Sequence, residues 1–175
     1  MSEMPVLFVG HGSPMNAIED NPFTRSWKDI ARKIPKPEAI LSVSAHWYTK
    51  GTKINNKEKP RTIYDMYGFP RALYEIVYDC PGSPIAAKAV KTLITKESEY
   101  DNSWGVDHGT WSVLVHMYPD RDVPVFQLSV DKNAPPEVHY MIGKELGALR
   151  NHNVLIFCSG NIVHNLGMVD WDMEN

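Results

Sequence analysis

At 175 residues, 43% of them hydrophobic and 22% charged, the chain has the make-up of one ordinary globular domain and not of a disordered segment. Its formal net charge of -3 and the lack of a sustained basic run exclude the electrostatic footprint of a nucleic-acid binder. Two cysteines, Cys80 and Cys158, cannot build a disulfide framework, and the N-terminus MSEMPVLFVG has neither a basic region nor a long apolar run; a reducing cytoplasm without membrane insertion is the expected setting.

Short β-rich runs alternate with amphipathic stretches, the pattern of strands joined by crossover helices. It predicts a single α/β domain over residues 1–175, with a mostly parallel central sheet flanked by helices. The first strand, Val6 to Val9, runs into Gly10-His11-Gly12-Ser13-Pro14, where the glycines permit a tight turn. A dinucleotide fingerprint would need glycine at position 15, and Met15 excludes it. Thr24 to Ile34 is a predicted helix with Trp27, Ile30, Ala31 and Ile34 on one face, followed by a second strand, Ala39 to Ser44, that ends in Ala45-His46-Trp47. From Gly51 to Tyr78 the pattern loosens into a segment rich in Pro, Gly and aromatics, too apolar for a disordered linker and expected to fold over the sheet. Tyr64, Tyr67 and Phe69 there either wall an aromatic pocket or simply pack, and both readings stand.

Pro84 to Ile94 is the next helix, with Ser83 as N-cap and Pro84 in the first turn. His108 then occupies a turn, WGVDHGTW, before an apolar helical stretch. Val123 to Val130 reads as a strand and Pro135 to Leu149 as a helix stopped by Asn151 or Asn153. The last strand, Val154 to Cys158, leads through Ser159-Gly160-Asn161 to His164. No internal repeat is present.

In an open α/β sheet ligands bind outside the carboxyl ends of the strands. His11, His46 and His164 all follow strand-like runs, so three imidazoles can meet there and hold a metal. A lone histidine is usually structural, but two at equivalent strand ends weigh against that reading. His164 serves equally as a third ligand or as a general base beside the metal. His108, at a helix start that disfavours a cationic imidazole, suits either a neutral hydrogen-bonding or proton-transfer role or the capping of its own turn. His116, His139 and His152 lie within or just after helices and read as structural or surface residues.

Together HGSPMNAIEDN, SAHWYTKGT, YDMYGFPRALYE, PGSPIAAKAV, WGVDHGTWSVL, QLSVD and SGNIVHNL resemble the class III extradiol ring-opening dioxygenases of the LigB type, nearest their 4,5-DOPA dioxygenase branch. The motifs fall in the family's order over nearly the whole chain. The resemblance implies an α/β enzyme that inserts dioxygen into a catechol beside its hydroxyls with Fe(II), zinc being the alternative metal in this branch. It makes His11 and His46 metal ligands, His164 an acid/base or further ligand at the metal, and His108 a contact to substrate or oxygen. Family members continue past the equivalent of Trp171 into a segment with another ligand histidine. The expected consequences are either a third ligand drawn from His164, Asp131 or a tail acid or an incomplete site, and an uncovered edge or apolar patch that favours a homo-oligomer. Three rival readings remain from the residues alone: a zinc hydrolase, a serine hydrolase built on Ser159, and a metal-binding module without turnover of its own or completed by a partner chain.

Overall fold

The computed structural model describes residues 3–162 and residue 168. Its centre is a four-stranded sheet in which β1 (Val6–Val9), β2 (Ala39–Ser44), β6 (Val125–Gln127) and β8 (Val154–Ser159) lie parallel in the order β1-β8-β2-β6. Two further two-stranded pairs extend the β structure: β3 (Tyr48–Thr49) with β7 (Val130–Asp131), and β4 (Thr52–Ile54) with β5 (Ser98–Tyr100). The helices are α1 (Pro22–Lys33), the single turn α2 (Arg71–Tyr74), α3 (Pro84–Leu93), α4 (His108–Met117) and α5 (Pro136–Leu146). The predicted α/β domain with a mostly parallel central sheet is the one observed.

Alternation along the strands explains why both sheet faces are covered. Ile40, Leu155 and Phe157 join a core with Trp27, Trp111, Val113 and Leu114, while Leu41, Val154 and Ile156 join a second core with Ala87, Val90, Ile142 and Leu146. The first core therefore packs α1 and α4 on one face, and the second packs α3 and α5 on the other. Local chemistry starts the helices where the sequence suggests. Asn21 and Thr24 form a capping box ahead of Pro22, and the Ser83 hydroxyl accepts from the Ala86 amide.

Two boundaries differ from the sequence reading. The predicted strand from Val123 to Val130 is divided: after Gln127 the chain leaves the central sheet, and the Val130 amide donates to Trp47 O at 2.9 Å, in the small pair with β3. A two-residue crossing of this kind leaves no break in hydropathy. The predicted helix to Leu149 remains α-helical only to Leu146, tightens into a 3₁₀ turn over Gly147–His152 and is ended by Asn153 in the left-handed region, φ 56°. Leu149 stays buried throughout.

Register decides where the functional residues go. Val9 and Ser44 are both paired with Ser159, so the carboxyl ends of β1, β2 and β8 finish level. The residues just beyond them project from one rim. Among the described residues no helix is long and apolar enough to cross a membrane.

Candidate metal centre

His11 and His46 each stand two residues past the end of their strand, and the level strand ends bring their rings together. The Nε2 atoms lie 3.0 Å apart and the ring centroids 4.9 Å. His108 arrives from another direction, as the first residue of α4. Its ring centroid is 3.9 Å from that of His46 and 5.5 Å from that of His11. One ring nitrogen from each of the three lies within 4.8 Å of the others. All three rings are buried or partly buried.

The rim is built by specific local contacts. The His11 turn is closed by Asn16, whose Nδ2 donates to His11 O at 2.9 Å, and Gly12 takes a left-handed φ of 64° beside it. Asp107 caps α4, its carboxylate accepting from the Thr110 amide at 3.2 Å and from Gln127 Nε2 at 2.9 Å. Gly109 brings the helix close to the imidazoles: a Cβ there would stand 2.8 Å from His46 Cδ2 and 3.3 Å from His11 Cε1.

Each imidazole is oriented through its other nitrogen. His11 Nδ1 is 2.8 Å from Ser159 Oγ, and that hydroxyl donates to Gly109 O. With its proton committed to the carbonyl, Ser159 accepts from His11 Nδ1–H, which leaves Nε2 with a lone pair. Asp65 serves the other two rings. Its Oδ2 lies 3.1 Å from His46 Nδ1, and its Oδ1 lies 3.0 Å from His108 Nδ1 while accepting the His108 amide at 3.0 Å. An ionised carboxylate only accepts, so it favours a proton on each Nδ1 that faces it.

The donor set therefore fits a divalent metal. Two imidazole lone pairs at 3.0 Å repel each other unless a cation or a shared proton lies between them, and neutral imidazoles backed by carboxylate or hydroxyl are the usual arrangement around a bound ion.

Electrostatics follow the same contacts. Burial works to raise the Asp65 pKa, but the adjoining His108 and His46 rings and the His108 amide outweigh it and hold the carboxyl well below the usual range. Burial lowers the His46 pKa, yet Asp65 and the charge of Asp107 reverse this and leave it raised. Asp107 is itself pushed up, chiefly by its complete burial and then by the Asp65 charge.

The structure brings together two of the predicted metal ligands, His11 and His46, and adds His108 to their group. His164 lies outside the described residues. Asp131, a sequence candidate for the third ligand, is engaged elsewhere, accepting from the Gly51 and Asn133 amides and standing 3.7 Å from Lys96 Nζ. His116 and His139 approach the carbonyls of Asn16 and Asp131, structural contacts in both cases. Ser159 is not poised as a nucleophile: its proton goes to a carbonyl, and His11 donates to it instead of accepting from it. Of the three aromatics, Tyr64 packs against Trp111 with its hydroxyl donating to Ile76 O, Phe69 lies partly in the core, and Tyr67 is 92% exposed. Asp65 was not singled out from sequence. A single acid inside the aromatic run Tyr64-Asp65-Met66-Tyr67 was the available signal, because a carboxylate in apolar surroundings is seldom there without a partner.

Known proteins resemble this chain in sequence and in fold. A protein from Escherichia coli strain K12, 4,5-DOPA dioxygenase extradiol, is 48% identical over 175 residues, covering 97% of this chain and 64% of its own length. A protein of the same name from Beta vulgaris is 42% identical over 167 residues, covering 90% of this chain and 62% of its own length. A crystal structure of an uncharacterized Escherichia coli K12 protein superposes with a TM-score of 0.82 at 43% identity, covering 98% of this chain and 65% of that one. The chain thus spans less than two thirds of the length of these relatives. Residues 4–170 match the family described as the catalytic LigB subunit of aromatic ring-opening dioxygenase, and the chain belongs to that family.

Proposed function

We propose that this chain carries the metal-binding part of an extradiol dioxygenase that opens a catechol-type ring of the DOPA kind with O2. The observation that supports it most is the facing pair of His11 and His46 Nε2 atoms, each ring oriented by an acceptor on its Nδ1 side. His11 and His46 hold the ion, and His164 is the further ligand or base suggested by the sequence. Fe(II) is the proposed metal, because zinc has no redox chemistry to offer O2. When bound, the ion supplies Lewis acidity toward the phenolic oxygens and a route for electrons between ring and O2.

The chain's own residues do the rest. Opening a catechol requires a base at hydrogen-bond distance from the phenolic hydroxyls to take their protons. His108, held by Asp65 at the rim beside His46, is placed to do so and to return a proton as the ring opens. A second reading makes His108 a third ligand, favoured by its nitrogen within 4.8 Å of the others. The unpaired cysteines Cys80 and Cys158 suit a reducing compartment, the cytoplasm.

Reconstitution with Fe(II) under anaerobic conditions, followed by L-DOPA and O2, tests the proposal by oxygen uptake and a yellow ring-opened product. Turnover is expected, with losses in His11→Ala and His46→Ala beyond the roughly 10–100-fold that removal of an outer-shell partner produces. Stoichiometric iron binding with no oxygen uptake would overturn it in favour of a metal-binding module without turnover.

A further inference from the structure

Asp65 belongs neither to the strand ends nor to the helix that supply the imidazoles. It comes from the irregular segment over the sheet, yet one carboxylate touches two of the three rings. Its attachment to the site is built from backbone. Thr62 bridges to Val106, the Ile63 amide donates to Val106 O at 2.8 Å, the Val106 amide donates to Arg61 O at 2.9 Å, and Trp111 Nε1 donates to Ile63 O at 2.9 Å. These contacts tie residues 61–63 to the start of α4 and deliver Asp65 between His46 and His108, with its side chain 13% exposed.

We propose that Asp65 is a positioning residue that fixes the tautomer and orientation of His46 and His108 together, so that one carboxylate presents both Nε2 atoms to the metal and substrate side. Oδ2 stands 3.1 Å from His46 Nδ1 and Oδ1 3.0 Å from His108 Nδ1, at ion-pair distance and without hydrogen-bond alignment, while Oδ1 accepts the His108 amide. A group that only accepts favours the proton on the Nδ1 it faces, which leaves each Nε2 its lone pair. Because both rings depend on one side chain, their orientations are coupled, and displacing the segment releases both. Any outer-shell carboxylate also raises the donor strength of the imidazole it holds.

Asp65→Asn is the discriminating change because it keeps shape and volume. The amide offers one acceptor and one N–H₂, and the N–H₂ cannot face an Nδ1–H; at least one ring must move its proton to Nε2 or turn away. The inference rests on the metal reading above only for its affinity arm, so two readouts are used. Nitrogen-detected histidine NMR of the metal-free chain should show Nδ1–H on His46 and His108 in the wild type and a change in at least one of them in Asp65→Asn. Zinc titration should show affinity about 10–100-fold lower in Asp65→Asn, with part of it regained in Asp65→Glu, while thermal unfolding confirms that the variants fold. Unchanged tautomers in Asp65→Asn would overturn the inference, as would zinc affinity equal to wild type. Wild-type zinc binding that is indifferent to His11→Ala would instead overturn the metal reading, leaving the NMR arm to judge Asp65.

Discussion

Gly109→Ala is expected to weaken metal binding at least about 10-fold and to lower stability, although alanine is the better helix former. On propensity alone the change would gain about 1 kcal/mol within α4. The added Cβ, however, would stand 2.8 Å from His46 Cδ2, 2.9 Å from Ser44 Oγ and 3.3 Å from His11 Cε1. None of these is the free end of a long side chain. His46 is held by Asp65, His11 by Ser159, and the Ser159 hydroxyl in turn ties Gly109 O to the end of β8. Overpacking of a well-filled site costs about 1–3 kcal/mol, which exceeds the propensity gain over most of that range. Relief by turning the imidazoles would spoil the approach of their Nε2 atoms. Zinc titration with thermal unfolding checks both arms, and a more stable variant with unchanged affinity would show that α4 has room to shift.

The second large effect is expected at Gly105, where nothing soft can yield. A Cβ there would lie 2.0 Å from the Arg61 carbonyl oxygen, a contact with backbone that is itself pinned by the Val106 amide at 2.9 Å. Gly105→Ala must therefore separate residues 61–63 from residues 103–106, at a cost at or above the top of the about 1–3 kcal/mol range for overpacking. Asp65 goes with the displaced segment. The variant should thus show a lower unfolding temperature together with the altered His46 and His108 tautomers expected of Asp65→Asn. A destabilised variant with wild-type tautomers would place the anchor of Asp65 elsewhere.

How far the site could be read from sequence depended on the range of the interactions that make it. His11 and His46 were legible because parallel strands carry their carboxyl ends to one rim, and a histidine two residues past each end has few other places to go. The helix starts at Asn21-Pro22 and Ser83-Pro84 were legible because capping is local. His108 was visible as a residue of a turn before a helix, but its closeness to His46 depends on how α4 crosses the sheet. Asp65 was less accessible still. It reaches the rings through an isolated bridge between Thr62 and Val106 and the Trp111 bond to Ile63 O, in a segment without periodicity, and such contacts leave no mark on hydropathy. Ser159 was noticed for the wrong reason: its neighbours in sequence suggested a nucleophile, whereas the partners brought to it by β8 and α4 make it the support of His11. The division of the predicted strand at Gln127 follows the same rule, since only the tertiary partner Trp47 distinguishes the two halves.

The central proposal is that the rim where His11, His46 and His108 gather is a metal centre built on His11 and His46. Calorimetric titration of the purified chain with a divalent ion, repeated on His11→Ala, His46→Ala and His108→Ala, tests it most directly. One ion per chain is expected for the wild type, with binding abolished in the first two variants; His108→Ala loses binding to the same degree only if His108 is itself a ligand. Binding that persists unchanged in both His11→Ala and His46→Ala would contradict the account.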